Sequence, residues 1–137
     1  FPGETEDDVE VLTDFLAGAR LDAVGVFGYS DEEGTEGATL PDKLPAAAIA
    51  ERVEQVTAVV DELLAQRAAE RAGEQVRFLV EEAGEHAAAG RIAQQGPETD
   101  GAATILGLAD GTLPGTFGWG RVQTADGVDL VVEAGRR

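Results

Sequence analysis

Cysteine and methionine are both absent from this 137-residue chain. With no thiolate of its own it can form no disulfide, no cysteine-ligated zinc or iron–sulfur centre, and no cysteine nucleophile. Histidine occurs once, as His86, and lysine once, as Lys43. A single imidazole excludes a histidine-pair metal site, and no Ser/His/Asp order or glycine-rich phosphate loop appears. His86 lies in a Glu-His-Ala-Ala stretch and reads as an exposed loop residue. No apolar run approaches the roughly 18 residues of a membrane span, so no membrane association is expected. A cysteine-free composition fits a cytoplasmic location. Positive charge is scarce: ten Lys and Arg face 27 Asp and Glu, for a net charge of −17. Such a surface repels polyanions and suits a basic protein partner. The plain alternative is a solvated acidic surface that serves solubility.

The pattern along the chain predicts three stretches. Thr5 to about Gly18 reads as a helix, with Thr5-Glu6-Asp7-Asp8 as a capping box that has Asp in place of Glu or Gln. Val9, Leu12, Leu16 and Ala19 recur at helical spacing, with Phe15 alongside. Ala23–Tyr29 is nearly all apolar without alternation, as in a parallel strand covered on both faces. Ser30–Pro45 is a long loop. A second helix spans about Ala46–Ala72, about 25 residues or some 37 Å, long enough to connect domains, with Gly73 as its stop. From Glu74 onward the period falls to two. Val76–Glu81, Ala89–Gln95, Ala102–Leu108, Thr116–Thr124 and Val128–Ala134 are the candidate strands. Asp126-Gly127 between two apolar runs signals a hairpin. Five short strands in so few residues suggest a small antiparallel barrel of the oligonucleotide/oligosaccharide-binding kind. Its aromatics, Phe78, Phe117 and Trp119, are expected in the core, Trp119 by packing over a glycine, with an exposed contact as the alternative for Trp119.

An ordered series of motifs accompanies this pattern. The chain opens on Phe1-Pro2-Gly3-Glu4-Thr5-Glu6-Asp7, a tight turn with no strand before it, and reads as entering a domain midway. Val24-Gly25-Val26-Phe27, Tyr29-Ser30 and Glu32-Glu33-Gly34-Thr35 follow, then Leu40-Pro41-Asp42-Lys43-Leu44-Pro45. Gly90-Arg91 and Gln95-Gly96-Pro97-Glu98-Thr99-Asp100-Gly101 complete the series. Together they resemble the C-terminal part of radical S-adenosylmethionine methylthiotransferases, which end in a small β-barrel called the TRAM domain. The strand-and-loop motif is closer to the branch that methylthiolates an aspartate of a small-subunit ribosomal protein than to the branch that modifies transfer RNA. From Ala72 onward ten carboxylates face five arginines, a net of −5, whereas an RNA-grasping barrel should be basic with aromatic platforms.

The resemblance implies an α+β arrangement. Residues 1–45 are the helix–strand remnant of a radical α/β barrel, 46–72 a linker helix, and 73–137 the five-stranded antiparallel TRAM barrel. It implies S-adenosylmethionine and two 4Fe–4S clusters in the parent enzyme, held outside this cysteine-free piece. The piece itself is expected to carry no catalytic residue, metal ligand or cofactor. Phe27 and Tyr29, at the end of the radical-barrel strand, are the residues that the resemblance sets near the S-adenosylmethionine adenosine; otherwise Phe27 simply fills the barrel. Glu81, Glu82, Asp129 and Glu133 are candidates for an acidic surface that docks a basic ribosomal protein, and the alternative is a solvated face. Arg91 is a candidate partner contact or the local partner of a carboxylate. Residues 1–45, lacking the other strands of a larger sheet, are expected to be mobile or to pack differently. Two rival readings stand beside this one: a transfer-RNA methylthiotransferase whose barrel binds RNA, and a non-catalytic interaction module.

Overall fold

A computed structural model describes residues 1–97 and 100–135. Helices α1 (Glu6–Ala19) and α2 (Ala46–Glu70) precede five strands. These are β1 (Gln75–Glu82), β2 (Ala88–Ile92), β3 (Ala103–Leu106), β4 (Phe117–Asp126) and β5 (Asp129–Ala134). The chain divides into two compact units, one of Phe1–Arg20 with Val24–Leu63, the other of Leu21–Ala23 with the chain from Leu64 onward.

In the first unit the capping box at α1 forms as the sequence predicts. The Thr5 amide donates to Asp8 Oδ2 at 2.8 Å, and the Asp8 amide donates to Thr5 Oγ1 at 3.3 Å. Two free amides at the helix start are thereby satisfied, and three carboxylates in the first turn face its positive end. Val9 and Leu16 are buried, but Leu12 and Phe15 of the same apolar set stay exposed. The expected strand over Ala23–Tyr29 does not form. A strand exists only through hydrogen bonds to a neighbour, and none of the described strands pairs with this run. Gly28 instead lies against Ile49 and Val53 of α2, so close that a Cβ there would stand 3.1 Å from Ile49 Cγ2. Arg52 of α2 anchors the chain start, donating from Nη1 to the Glu4 carbonyl and to Glu4 Oε1, both at 2.9 Å, and from Nη2 to Glu6.

The loop after residue 29 is organised by the single lysine. Lys43 Nζ donates to the Tyr29 hydroxyl at 3.1 Å, to the Gly37 carbonyl at 2.7 Å and to Asp31. The Tyr29 hydroxyl in turn donates to Asp31 Oδ1 at 2.6 Å. Hydrogen bonds from Lys43 and then Tyr29 hold the Asp31 carboxyl below the usual aspartate value of 3.8.

In the second unit the strands close into a barrel in the order β1-β2-β3-β5-β4. Every pairing is antiparallel except β3 with β5, which is parallel, with Ala103 opposite Leu130 and Ile105 opposite Val132. The barrel is thus antiparallel as expected but for this one pair, which has a geometric reason. Directions that alternate around a closed ring require an even number of strands, so five must include one parallel pair. Irregularities at Glu81 in β1 and Gln123 in β4 shift the register and add the bend that a small barrel needs.

Inward positions carry the core: Val76, Phe78, Val80, Ile92, Ile105, Val122, Leu130 and Val132, joined by Ala68 from the last turns of α2. The core is small, and glycines let the strands approach. A Cβ at Gly90 would meet the Leu79 carbonyl oxygen at 2.0 Å, and one at Gly118 would meet Phe78 Cζ at 2.4 Å. The β4–β5 hairpin turns on Gly127 and Val128, with Gly127 at φ 58°. Val128, at the turn, is exposed rather than inward.

Gly118→Ala should therefore overpack the barrel and destabilise it by about 1–3 kcal/mol, read as a lower urea midpoint. Gly18→Ala, which meets nothing within 4 Å, should leave the barrel transition in place. For Asp31, whose folded pKa is depressed, the stabilising contribution is complete above pH 3.8 and disappears as pH falls through the lower folded value. A carboxyl-carbon NMR titration should show a midpoint below 3.8 that moves back towards it in Lys43→Ala; an unmoved midpoint would contradict the assignment.

Candidate functional site

The barrel exterior is written by strand alternation. On β1, Gln75, Arg77 and Glu81 face out; on β5, Asp129 and Glu133 do. Glu81 leaves β1 opposite the core residues, as the alternation predicts, but it is not free. Arg91 Nη1 lies 2.7 Å from Glu81 Oε1 across the β1–β2 pair. With both side chains partly exposed the pair contributes about 0.2–1 kcal/mol. Of the two roles open to Arg91, the structure displays the local ion pair.

Asp129 also has local work, accepting the Ala102 amide on Oδ1 at 2.7 Å. Glu133 stands opposite Arg121 on β4, and its Oε1 lies 2.4 Å from where a Cβ of Gly107 would be. Glu82 is exposed at the end of β1. Asp129 and Glu133 share a face of β5, four residues and about 13 Å apart. They are separated from Glu81 and Glu82 by β4, which lies between β5 and β1 in the ring. The four carboxylates thus form two separate groups.

Sequence reasoning missed the other feature of this exterior. Phe117 and Trp119, expected in the core, are 56% and 58% exposed, whereas Phe78 is buried as expected. The cause lies in the alternation Phe117-Gly118-Trp119-Gly120. Gly118 takes the inward position over Phe78, and Gly120 packs against Val132 and the Glu133 carbonyl. With the glycines inside, the aromatics between them must point out. Counting back in twos from buried Val122 would have revealed this register. Arg77 on β1 sits opposite Trp119, and its guanidinium carbon lies 4.6 Å from the Phe117 ring centroid, a cation–π contact. The two aromatics, Arg77, Gln75 and the loop from Gly107 to Thr116 border an open groove of about 780 Å³.

In the first unit Phe27 is 91% exposed. Tyr29 is half-buried, with its hydroxyl held by Asp31 and Lys43 and the Phe1 ring edge-on at 5.2 Å. Phe27 offers a bare aromatic face, and Tyr29 a hydroxyl already committed to neighbours. His86 is exposed between β1 and β2. The chain contains no cysteine, and among the described residues no three His, Asp or Glu side chains gather as metal ligands. The residues present therefore do not fit an iron–sulfur cluster. No helix is long and apolar enough to cross a membrane among the described residues.

The motif Gln95–Gly101, described except for Glu98 and Thr99, works as a clasp. Buried Gln95 accepts the Ile92 amide at 3.0 Å and donates to the Ala102 carbonyl at 3.1 Å and the Val128 carbonyl at 3.4 Å. Asp100 Oδ2 accepts the Gly96 amide at 2.8 Å. The side chains most characteristic of the sequence here hold β2, β3 and the β4–β5 turn together.

Comparison with known proteins agrees with this geometry. Residues 72–134 match the family model described as TRAM domain. A protein of Saccharopolyspora erythraea named ribosomal protein uS12 methylthiotransferase RimO is 55% identical over 96% of this chain and 27% of its own length. Proteins of the same name from Streptomyces griseus and Nocardioides are 50% and 58% identical, over 97% and 77% of this chain and 28% and 23% of their own lengths. The chain spans about a quarter of the length of the curated relatives it matches. With the closed five-stranded barrel at residues 75–134 in place, residues 72–134 form a TRAM domain, in a chain that is similar over nearly its whole length to part of the proteins named RimO.

Proposed function

We propose that this chain is the substrate-docking part of an enzyme that methylthiolates an aspartate of a small-subunit ribosomal protein. The observation that carries the reading is the identity of 50–55% over nearly the whole chain to relatives named ribosomal protein uS12 methylthiotransferase. The charge of −17 supports it, because an acidic surface steers a basic partner and sets its register. The parent works in the cytoplasm with S-adenosylmethionine and two 4Fe–4S clusters, all cluster ligands lying outside this cysteine-free chain. The chain is non-catalytic alone.

Residues 1–45 are the part of the radical barrel that this chain retains, 46–72 the linker helix and 73–137 the docking barrel. Apolar side chains left exposed in the first unit, Val11, Phe15 and Phe27 among them, support this division, since the rest of a larger barrel would cover them. Phe27 and Tyr29 contribute there to the S-adenosylmethionine site. Glu82 and Glu133 are the carboxylates of the docking surface with least local engagement, while Glu81, Asp129 and Arg91 shape it through the contacts described above.

A second reading, RNA docking by the barrel, is favoured by one observation, the exposed Phe117 and Trp119 beside Arg77. The two differ in salt dependence and in what they bind. Calorimetry with the purified ribosomal protein should show that Glu82→Lys and Glu133→Lys each weaken binding by about fivefold and flatten its dependence on salt. Unchanged affinity and salt dependence would remove the acidic-docking reading. Tight binding of single-stranded RNA that collapses with salt would install the rival.

A further inference from the structure

We infer that the groove bordered by β1, β4 and the loop from Gly107 to Thr116 is a second, oppositely charged element of the docking surface. It receives a segment of the protein partner in which an aspartate or glutamate adjoins an apolar residue. The inference rests on the proposed docking of a protein substrate and adds to it the chemistry that this groove reads.

Three observations carry it. The first is charge. In a chain with 27 carboxylates and ten Lys and Arg, Arg77 has no carboxylate partner among the described residues, whereas Lys43, Arg52, Arg67, Arg71 and Arg91 each have one. Among the described residues no carboxylate lines the groove beside it. A cation left unneutralised amid such an excess of acid is complementary to an anion that is not part of the described structure.

The second is orientation. The Arg77 guanidinium lies over the Phe117 ring. Its flat face is thus in use, while its N–H edge stays available for the fork-to-fork contact that a carboxylate makes with arginine. Stacking fixes the plane in advance, so less side-chain freedom is lost on binding.

The third is the apolar wall. Trp119 and Phe117 are both more than half exposed and, with Leu108, border the same groove. They offer the flat amphipathic surface that anchors protein interfaces. Among the described residues that line the groove Arg77 is the one cation, and one cation matches one carboxylate. A single-stranded nucleic acid needs a track of several, and the nearby Arg121 is engaged with the Gly73 carbonyl.

Trp119 is the only tryptophan, so its emission reports occupancy directly. The probes are overlapping, end-capped, tryptophan-free peptides that tile the small-subunit ribosomal protein, and separately a hexauridylate. Peptides in which Asp or Glu adjoins an apolar residue should shift Trp119 emission. Replacing that acid by its amide, or introducing Arg77→Ala or Arg77→Lys, should each weaken binding about tenfold. Circular dichroism and the urea midpoint of both variants should match the parent chain, since Arg77 is exposed. Peptide binding indifferent to Arg77 would overturn the inference. So would a silent Trp119 while Glu82→Lys and Glu133→Lys still weaken the whole protein's binding, an outcome that leaves acidic docking standing. An Arg77-dependent response to hexauridylate alone would assign the groove to RNA and overturn it too.

Discussion

The contact between Phe78 and Gly118 governs most of what the second unit presents to its surroundings. Phe78 fills the barrel interior so completely that position 118 has room for a hydrogen and nothing larger. Once that position is glycine and faces inward, the pleat of β4 settles the rest: Gly120 and Val122 in, Phe117, Trp119 and Arg121 out. The barrel therefore spends its two largest β4 side chains on the exterior and builds its core from medium-sized ones. Val80, Ile105, Val122 and Val132 are the side chains it hides most completely. A small barrel tolerates this because its radius leaves no space for three aromatic rings.

Charge is distributed by the same logic. Carboxylates dominate the chain, yet many of them serve nearby groups: Asp8 caps a helix, Asp22 joins Arg67 and Arg71, Glu81 holds Arg91, and Asp129 takes a loop amide. What remains for a partner is smaller than the formal charge suggests and is broken by an aromatic strip with its own cation. In the proposed reading the carboxylates attract a basic protein at a distance, and the groove adds discrimination at contact.

How much could be read in advance follows from which interactions are local in sequence. The α1 cap needs only Thr5 and Asp8 and was visible. The five strands and the hairpin after Asp126 were visible through period two and turn chemistry, and the resemblance through its ordered motifs. What was hidden depends on neighbours distant in the chain. The run Ala23–Tyr29 has strand composition, but none of the described strands pairs with it. The Glu81–Arg91 pair depends on the β1–β2 register, which no single segment encodes. The separation of the four candidate carboxylates depends on strand order in the ring. The exposure of Phe117 and Trp119 was in principle readable, but only by treating Gly118 and Gly120 as inward residues rather than breaks.

The parallel pairing of β3 with β5 has a consequence for how the barrel is assembled in time. The β4–β5 hairpin joins strands two residues apart, whereas β3 and β5 meet across the whole of β4, with Ala103 opposite Leu130. Local pairs are cheap in loop entropy and form early; the closing pair must wait. Until β3 and β5 pair, each presents an unpaired backbone edge, the usual template for association between chains. The last strand is thus the fold's latch, and its arrival turns an open, adhesive sheet into a ring with no edge.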